Sequence, residues 1–194
     1  QFGKDEYKNS RSSAMMDGFY RYNTLGAGLN YNHTFGSVHD LAVRLFYNHS
    51  SETVPGDNPD YKYQGLAMRA QYGFNKRYYA EVTASYKGSS NYRSGKRTGF
   101  FPAVGLAWVA SDEKWLQSAE AIDFLKFRVS YGVNGNDQTG GRRFPYRQEF
   151  TSSGGYAFGN PNGSTDGSQE GVLANPDETW EKSYKFNVGF DLEL

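Results

Sequence analysis

From Tyr78 to Tyr86 every second residue is apolar or aromatic: Tyr78, Ala80, Val82, Ala84, Tyr86. Tyr79, Glu81, Thr83, Ser85 and Lys87 alternate with them or follow them. A period of two puts the first set on one face of an extended strand and the second on the other. The pattern recurs along the chain. Leu25, Ala27, Leu29, Tyr31 and Phe35 form one such series, and Leu41, Val43, Leu45 and Tyr47 the next. Leu66, Met68, Ala70, Tyr72 and Phe74 follow, then Val104, Leu106, Trp108 and Ala110. Leu125, Phe127, Val129, Tyr131 and Val133 make the sixth, and Tyr184, Phe186, Val188, Phe190, Leu192 and Leu194 the last. The sequence thus predicts seven antiparallel strands, over about 19–35, 41–53, 62–74, 78–89, 100–110, 124–134 and 181–194. Alternating segments of this length match membrane-spanning strands, which need about 9–11 residues, better than soluble sheets with a mode of about 5–6.

The connections support that reading. Gly36–Asp40 and Asn75–Arg77 are short, whereas Pro55–Tyr61, Asn91–Gly99 and Gly135–Thr179 are longer and polar. Short turns at one rim and long loops at the other are the habit of an outer-membrane barrel, whose short turns are periplasmic. The stretch Ser111–Asp123 departs from the rule, and its Asp112 and Glu113 predict a short helix with Ser111 as N-cap. Residues 1–17 read as a polar lead-in or loop.

Composition restricts function. Lys+Arg and Asp+Glu balance at 21 each, so no net field recruits nucleic acid. Cysteine is absent, which excludes disulfides and thiolate metal sites. His33, His39 and His49 do not fall at metal-ligand spacing, and no nucleophile elbow, Walker loop or dinucleotide fingerprint is present. The string Asn162, Ser164, Asp166, Gly167 has half the look of a calcium loop, but Leu173 stands where the closing Glu belongs. The expectation is therefore a non-enzyme without metal or cofactor. The long segment 135–179 stands out instead. It is glycine-rich and carries Arg142, Arg143, Tyr146, Phe150, Tyr156 and Phe158. Glycine freedom with aromatic and guanidinium side chains suits a loop that contacts a substrate or a partner, and it equally suits a surface loop packed on its own stem.

Certain strings are more specific than their period. Tyr78–Ser90 is followed by Thr98-Gly-Phe-Phe-Pro-Ala-Val-Gly-Leu-Ala-Trp108, Ser111-Asp-Glu-Lys114 and Leu125-Lys-Phe-Arg-Val-Ser-Tyr-Gly-Val-Asn-Gly-Asn136. Asn175-Pro-Asp-Glu-Thr-Trp-Glu-Lys182 and Phe186-Asn-Val-Gly-Phe-Asp191 close the series. In this order they resemble the barrel of the SusC/RagA family of TonB-dependent outer-membrane transporters. The resemblance implies an all-β transmembrane barrel of roughly 22 strands, of which about seven are present, with the plug domain elsewhere. It implies TonB-dependent import of a bulky nutrient such as an oligosaccharide or peptide. A SusD-like surface lipoprotein, the TonB complex and the lipid bilayer are the implied partners, in the outer membrane of a Gram-negative cell of the Bacteroidota kind. On that reading Ala80, Val82, Ala84, Phe127, Val129, Phe186 and Val188 face lipid, and Glu81, Lys126, Arg128 and Asp191 face the lumen. The rival readings are a passive porin or adhesin barrel and a soluble carbohydrate-binding β-sandwich.

Overall fold

The computed structural model describes residues 20–54, 59–116, 122–138, 142–158 and 163–194. One seven-stranded antiparallel sheet dominates, in the order β1-β2-β3-β4-β5-β6-β9. Its strands are β1 (Arg21–Phe35), β2 (His39–Thr53), β3 (Tyr61–Phe74), β4 (Tyr78–Ser89), β5 (Thr98–Val109), β6 (Phe124–Asn136) and β9 (Glu181–Glu193). Between β6 and β9 lies a second, two-stranded sheet, β7 (Phe150–Phe158) with β8 (Gly163–Glu170).

Two departures from the sequence expectation have plain causes. The span 135–179, expected as loop, contains the β7–β8 hairpin. Its strands read Phe-Thr-Ser-Ser-Gly-Gly-Tyr-Ala-Phe and Gly-Ser-Thr-Asp-Gly-Ser-Gln-Glu. These are too glycine-rich and too polar on both faces for an apolar period to show. The second departure is the connection after β5. Its described residues include a 3-10 turn, Ala110–Asp112, and Ser111 lies inside that turn rather than capping it. The turn closes by Glu113 N–H donating to the Ala110 carbonyl at 3.0 Å. Glu113 is engaged elsewhere, as described below.

The tight turns follow from left-handed residues. Gly36 (φ 54°) and Ser37 (φ 61°) join β1 to β2, and Val38 N–H bonds the Phe35 carbonyl at 3.3 Å. Asn75 (φ 52°) and Lys76 (φ 57°) join β3 to β4, closed by Arg77 N–H to Phe74 O at 3.0 Å. Positive φ at both central residues is the type I′ pattern, whose twist matches that of the flanking strands.

Register aligns the alternating residues into continuous rows across all seven strands. One row runs Tyr31, Val43, Ala70, Val82, Val104, Tyr131, Phe186. Toward the short-turn rim the next runs His33, Leu41, Tyr72, Ala80, Leu106, Val129, Val188. At that rim the row is Phe35, His39, Phe74, Tyr78, Trp108, Phe127, Phe190, an unbroken girdle of rings. Trp108 stacks on Phe127 at 5.8 Å and Phe74 on Tyr78 at 6.3 Å. This whole face is uncovered among the described residues: Val82, in the middle of the sheet, is 48% exposed. A β-sandwich would place a second sheet here. A bilayer supplies the missing apolar partner, and interfacial rings belong at its edge.

The opposite face is wet. Rows such as Asn32, Ala42, Gln71, Glu81, Gly105, Ser130, Asn187 cross it. Several of its charges are paired sideways, strand to strand. Arg69 reaches Glu81 at 2.7 Å, Gln71 donates to the same carboxylate at 2.8 Å, and Arg128 meets Asp191 at 3.0 Å. A hollow of about 960 Å³ opens along this region, with Thr34, Asp40, Gln71, Glu81, Arg128 and Asn187 among its lining residues.

The short-turn rim is tied together by Glu113. Its carboxylate accepts from the Tyr78 hydroxyl at 2.5 Å and from the Trp108 indole at 3.3 Å, and Arg77 lies 3.6 Å away. Two girdle rings are thus fixed by one acid. The Tyr78 hydrogen bond, helped by the Trp108 indole and Arg77, holds the Glu113 carboxyl below its ordinary value. A depressed folded-state value means the contribution is complete above the unfolded value, about 4.3, and is lost as pH falls through the folded one. Hydrogen exchange at Arg77–Tyr79 and Trp108–Glu113 should therefore accelerate on acidification below about pH 4.3 in the parent. In Glu113→Gln it should already be faster at neutral pH and change little with acid.

Candidate functional site at the long-loop rim

The root of the long connection holds most of the buried side chains among the described residues. Tyr92 (0% exposed), Phe101 (3%) and Trp180 (4%) form an apolar cluster, with Tyr63 and Val133 packed against it. Their rings meet at 5.3 to 6.4 Å: Phe101–Trp180, Tyr92–Trp180 and Tyr63–Trp180. The β5–β6 ladder ends at Ala103–Gly132. Beyond it the Phe101 ring fills the space that side chains on Gly99 and Gly135 would take. A Cβ there would stand 2.4 Å and 2.0 Å, respectively, from the ring's Cζ. Packed against Trp180, the ring has no room to swing away. Gly135→Ala should therefore destabilise the loop root by about 1–3 kcal/mol, measurable as faster hydrogen exchange at Ser89–Tyr92. Phe101→Leu should recover part of that loss in the double variant.

Polar groups extend the same root. Asn91 is buried and uses both ends of its amide: Nδ2 donates to the Asp137 carbonyl at 2.8 Å, and Oδ1 accepts from the Phe144 N–H at 2.6 Å. The Tyr61 hydroxyl donates to the Asp137 carboxylate. Trp180 Nε1 donates to the Arg97 carbonyl at 3.0 Å, and Arg97 Nε in turn to the Tyr92 carbonyl at 3.0 Å. Lys96 meets Asp177 at 2.6 Å, which holds that carboxyl below its ordinary value. The start and end of the long connection are thereby fastened to the β4–β5 loop and to β3.

The residues singled out in the sequence have different fates. Arg142 is consumed internally: its guanidinium donates to the carbonyls of Arg147 (3.0 Å), Val172 (3.2 Å) and Leu173 (3.2 Å) and pairs with Glu149 at 3.3 Å. It holds the base of the hairpin. Arg143 reaches across the mouth to Glu52 at 2.6 Å and lies 5.4 Å from the centre of the Tyr61 ring. Tyr146 packs edge-on against the buried Phe144 at 6.3 Å. Phe150 and Tyr156 are about two-thirds exposed on β7, at 65% and 66%. The register slips between Ser153 and Tyr156, so Tyr156 shares a face with Thr165 and Gly167 while Phe150 shares the other with Ser168 and Glu170. The bulge thus turns the two rings to opposite sides of the hairpin. Phe158 is the last residue of β7, opposite Gly163. Of the calcium-like string, Asp166 and Gly167 sit in β8, extended chain that does not wrap an ion, and Asn162 lies outside the described residues.

The sequence did not point to Glu52, Tyr61, Asn91 or Asp137. Their partners are 46 to 91 positions away. No local period marks such pairs. Trp180 lay within one of the quoted strings, and its burial is the physical reason it stands there.

Comparison with known proteins agrees with this architecture. No protein-family profile matches the chain. A TonB-dependent receptor of Formosa agariphila is 28% identical over 179 residues, covering 91% of this chain and 16% of that receptor. The TonB-dependent receptor SusC of Bacteroides thetaiotaomicron is 30% identical over 126 residues, 63% of this chain and 12% of its own length. Among solved structures, the RagAB peptide transporter superposes with a TM-score of 0.72 at 22% identity, over 89% of this chain and 22% of that one. The chain therefore spans less than a quarter of the proteins it matches. A sheet that is apolar outside, wet inside and ringed by aromatics is a segment of an outer-membrane β-barrel. Within that class it is similar to TonB-dependent receptors, SusC among them. The matched relatives are receptors and transporters rather than enzymes.

Proposed function

We propose that this chain is part of the wall of an outer-membrane importer driven through TonB, taking up a bulky oligosaccharide or peptide beneath a SusD-like surface lipoprotein. The observation that carries the reading is the pairing of an uninterrupted apolar belt with a charge-paired opposite face. Lipid accounts for the first. The second, with Arg69–Glu81 and Arg128–Asp191 held sideways along the wall, suits a water-filled or plugged lumen. On this reading the short turns are periplasmic, and the loops after β2, β4 and β6 face the cell exterior. The β7–β8 hairpin then projects outward from a rigid root, presenting Phe150 and Tyr156 to a substrate or to the lipoprotein. A passive porin would keep the belt but need no plug or TonB box.

The test is made in cells carrying the full-length receptor. Phe150–Glu170 is replaced by a short Gly-Ser linker, leaving Arg142, Arg143 and Phe144 in place. Normal insertion, reduced co-purification of the lipoprotein and slower growth on the imported nutrient are expected. Unchanged association and unchanged growth would remove the hairpin from the function. Growth that survives loss of TonB would remove active import.

A further inference from the structure

The lipid-facing surface turns polar and basic toward the long-loop rim, and the ladder sets the height of the change. From the girdle row of Phe35, His39 and Phe74 the apolar rows continue as far as Ala27, Tyr47, Leu66, Tyr86 and Phe100. The next row on β1–β3 is Leu25, His49 and Gln64, then Asn23, Ser51 and Lys62, and Arg21 lies beyond them opposite Thr53. All share the parity of the apolar rows and so stand on the same face. At about 3.4 Å per residue and a strand tilt of about 40°, Leu25 lies about 26 Å above Phe35 along the membrane normal, and the apolar band of such barrels is about 25 Å tall. Tyr47, Tyr86 and Phe100 therefore form the second girdle. Lys62 and Arg21 come about 5–10 Å beyond the hydrocarbon edge, level with the lipid headgroups. Asp60 is the acid beside them. It accepts from the Thr53 hydroxyl at 2.9 Å and stands 3.9 Å from the Lys62 ammonium, whose side chain remains 58% exposed.

We propose that Arg21 and Lys62, with His49, Asn23 and Gln64 below them, bind the phosphorylated head of an outer-leaflet glycolipid, lipid A, against the outside of the wall. The site lies on the lipid side of the sheet and is independent of import; it uses only the sidedness in which the long loops are extracellular. Two cations beside one acid leave a positive surplus at the depth where lipid A carries its phosphates. A guanidinium fork fits two phosphate oxygens, and an ammonium adds a point charge. Both side chains are long enough to lay their stems on the apolar rows and reach outward with their heads. One or two rows lower, the Asn23 and Gln64 amides and His49, an N–H donor in either protonation state, suit the hydroxyls and amide links of an acylated disaccharide. Lower still, Leu25, Leu66 and Tyr86 are exposed and receive acyl chains. The order cation, amide, apolar along the strands is thus the order phosphate, sugar, acyl along the lipid. An acidic peptide or a nucleic acid would use the cations and leave the apolar rows bare. A zwitterionic phospholipid brings no net charge to the surplus.

The experiment uses the full-length receptor in detergent, with bound lipid counted by native mass spectrometry during titration with lipid A, chemically dephosphorylated lipid A, phosphatidylglycerol or inorganic phosphate. The parent should bind lipid A at least about tenfold more tightly than the dephosphorylated form, and more tightly than phosphatidylglycerol. Each basic group beside an anionic lipid surface is worth a factor of about five. Arg21→Gln with Lys62→Gln should therefore weaken lipid A binding at least about tenfold and leave the dephosphorylated form within about twofold. Arg21→Lys with Lys62→Arg, which keeps both charges, should stay within about threefold of the parent. Arg44→Gln with Lys185→Gln removes the same charge from the wet face and should leave binding at the parental level. Equal binding of the two lipid A forms, equal binding of phosphatidylglycerol, occupancy by inorganic phosphate alone, or equal weakening by the wet-face pair each overturns the site. Heat-modifiable migration is the folding control, and the comparison of the two lipid A forms on the parent decides even where a variant does not fold. Uptake that survives loss of TonB would remove active import and leave these titrations unchanged.

Discussion

Val129→Arg should fail to assemble into membranes, while its neighbour Arg128→Val should assemble at close to the parental level. Val129 belongs to the apolar row that runs through Leu41, Ala80, Leu106 and Val188, one step inside the aromatic girdle. An arginine there must either leave its charge in hydrocarbon or bend toward the headgroups. The cost is about 2–4 kcal/mol near the bilayer midplane and less toward the interface. Val82→Arg, one row further from the girdle, should cost more than Val129→Arg. Arg128 points the other way and pairs with Asp191 at 3.0 Å, both side chains being well exposed. Its loss removes a solvent-screened pair worth at most about 1 kcal/mol. Heat-modifiable migration and the yield of membrane-inserted receptor measure both effects. The reverse ranking would turn the sheet inside out.

How much of this was legible in the sequence depends on the range of the interaction. The period of two shows directly along Tyr78–Tyr86 or Leu125–Val133, because each strand carries its own apolar face. The girdle needed one more step. Phe35, Phe74, Trp108 and Phe127 each stand near a strand end, and only register shows that they form a single row. The β7–β8 hairpin left no period, because serine, threonine and glycine on both faces have nothing to bury. Glu113 was legible as an acid near a turn, but the sequence gives it a helix to cap. The structure instead gives it the Tyr78 hydroxyl and the Trp108 indole, 35 and 5 positions away. The loop-root network was the least visible. Asn91, Asp137 and Phe144 are unremarkable residues in polar stretches, made specific only by folding the long connection back onto the β4–β5 loop. The candidate contact residues divided by the same logic. Arginine in a glycine-rich loop is as useful for tying carbonyls as for reaching a ligand, and Arg142 does the first.

Trp180→Ala should release the long connection while leaving the membrane belt intact. Trp180 is 4% exposed, and its ring sits among Phe101, Tyr92 and Tyr63. Removing it opens a cavity costing about 3–5 kcal/mol, for a buried large aromatic that its neighbours cannot replace. It also leaves the Arg97 carbonyl without its indole donor. Trp180→Phe separates the two losses: most of the packing survives, and the unpaired carbonyl alone costs about 1–3 kcal/mol if water cannot reach it. Asn91→Ala strips partners from the Asp137 carbonyl and the Phe144 N–H together, and should cost at least as much as Trp180→Phe. None of these side chains touches the apolar rows from Tyr31 to Phe186 or from Phe35 to Phe190, so insertion and heat-modifiable migration should stay parental. The readouts are local: faster hydrogen exchange at 89–97 and 142–147, and faster protease cleavage between β6 and β9. The expected ranking is Trp180→Ala first, then Asn91→Ala, then Trp180→Phe. If Trp180→Ala instead abolished insertion with loop exchange unchanged, the cluster would belong to the folding of the wall rather than to the bracing of the loop.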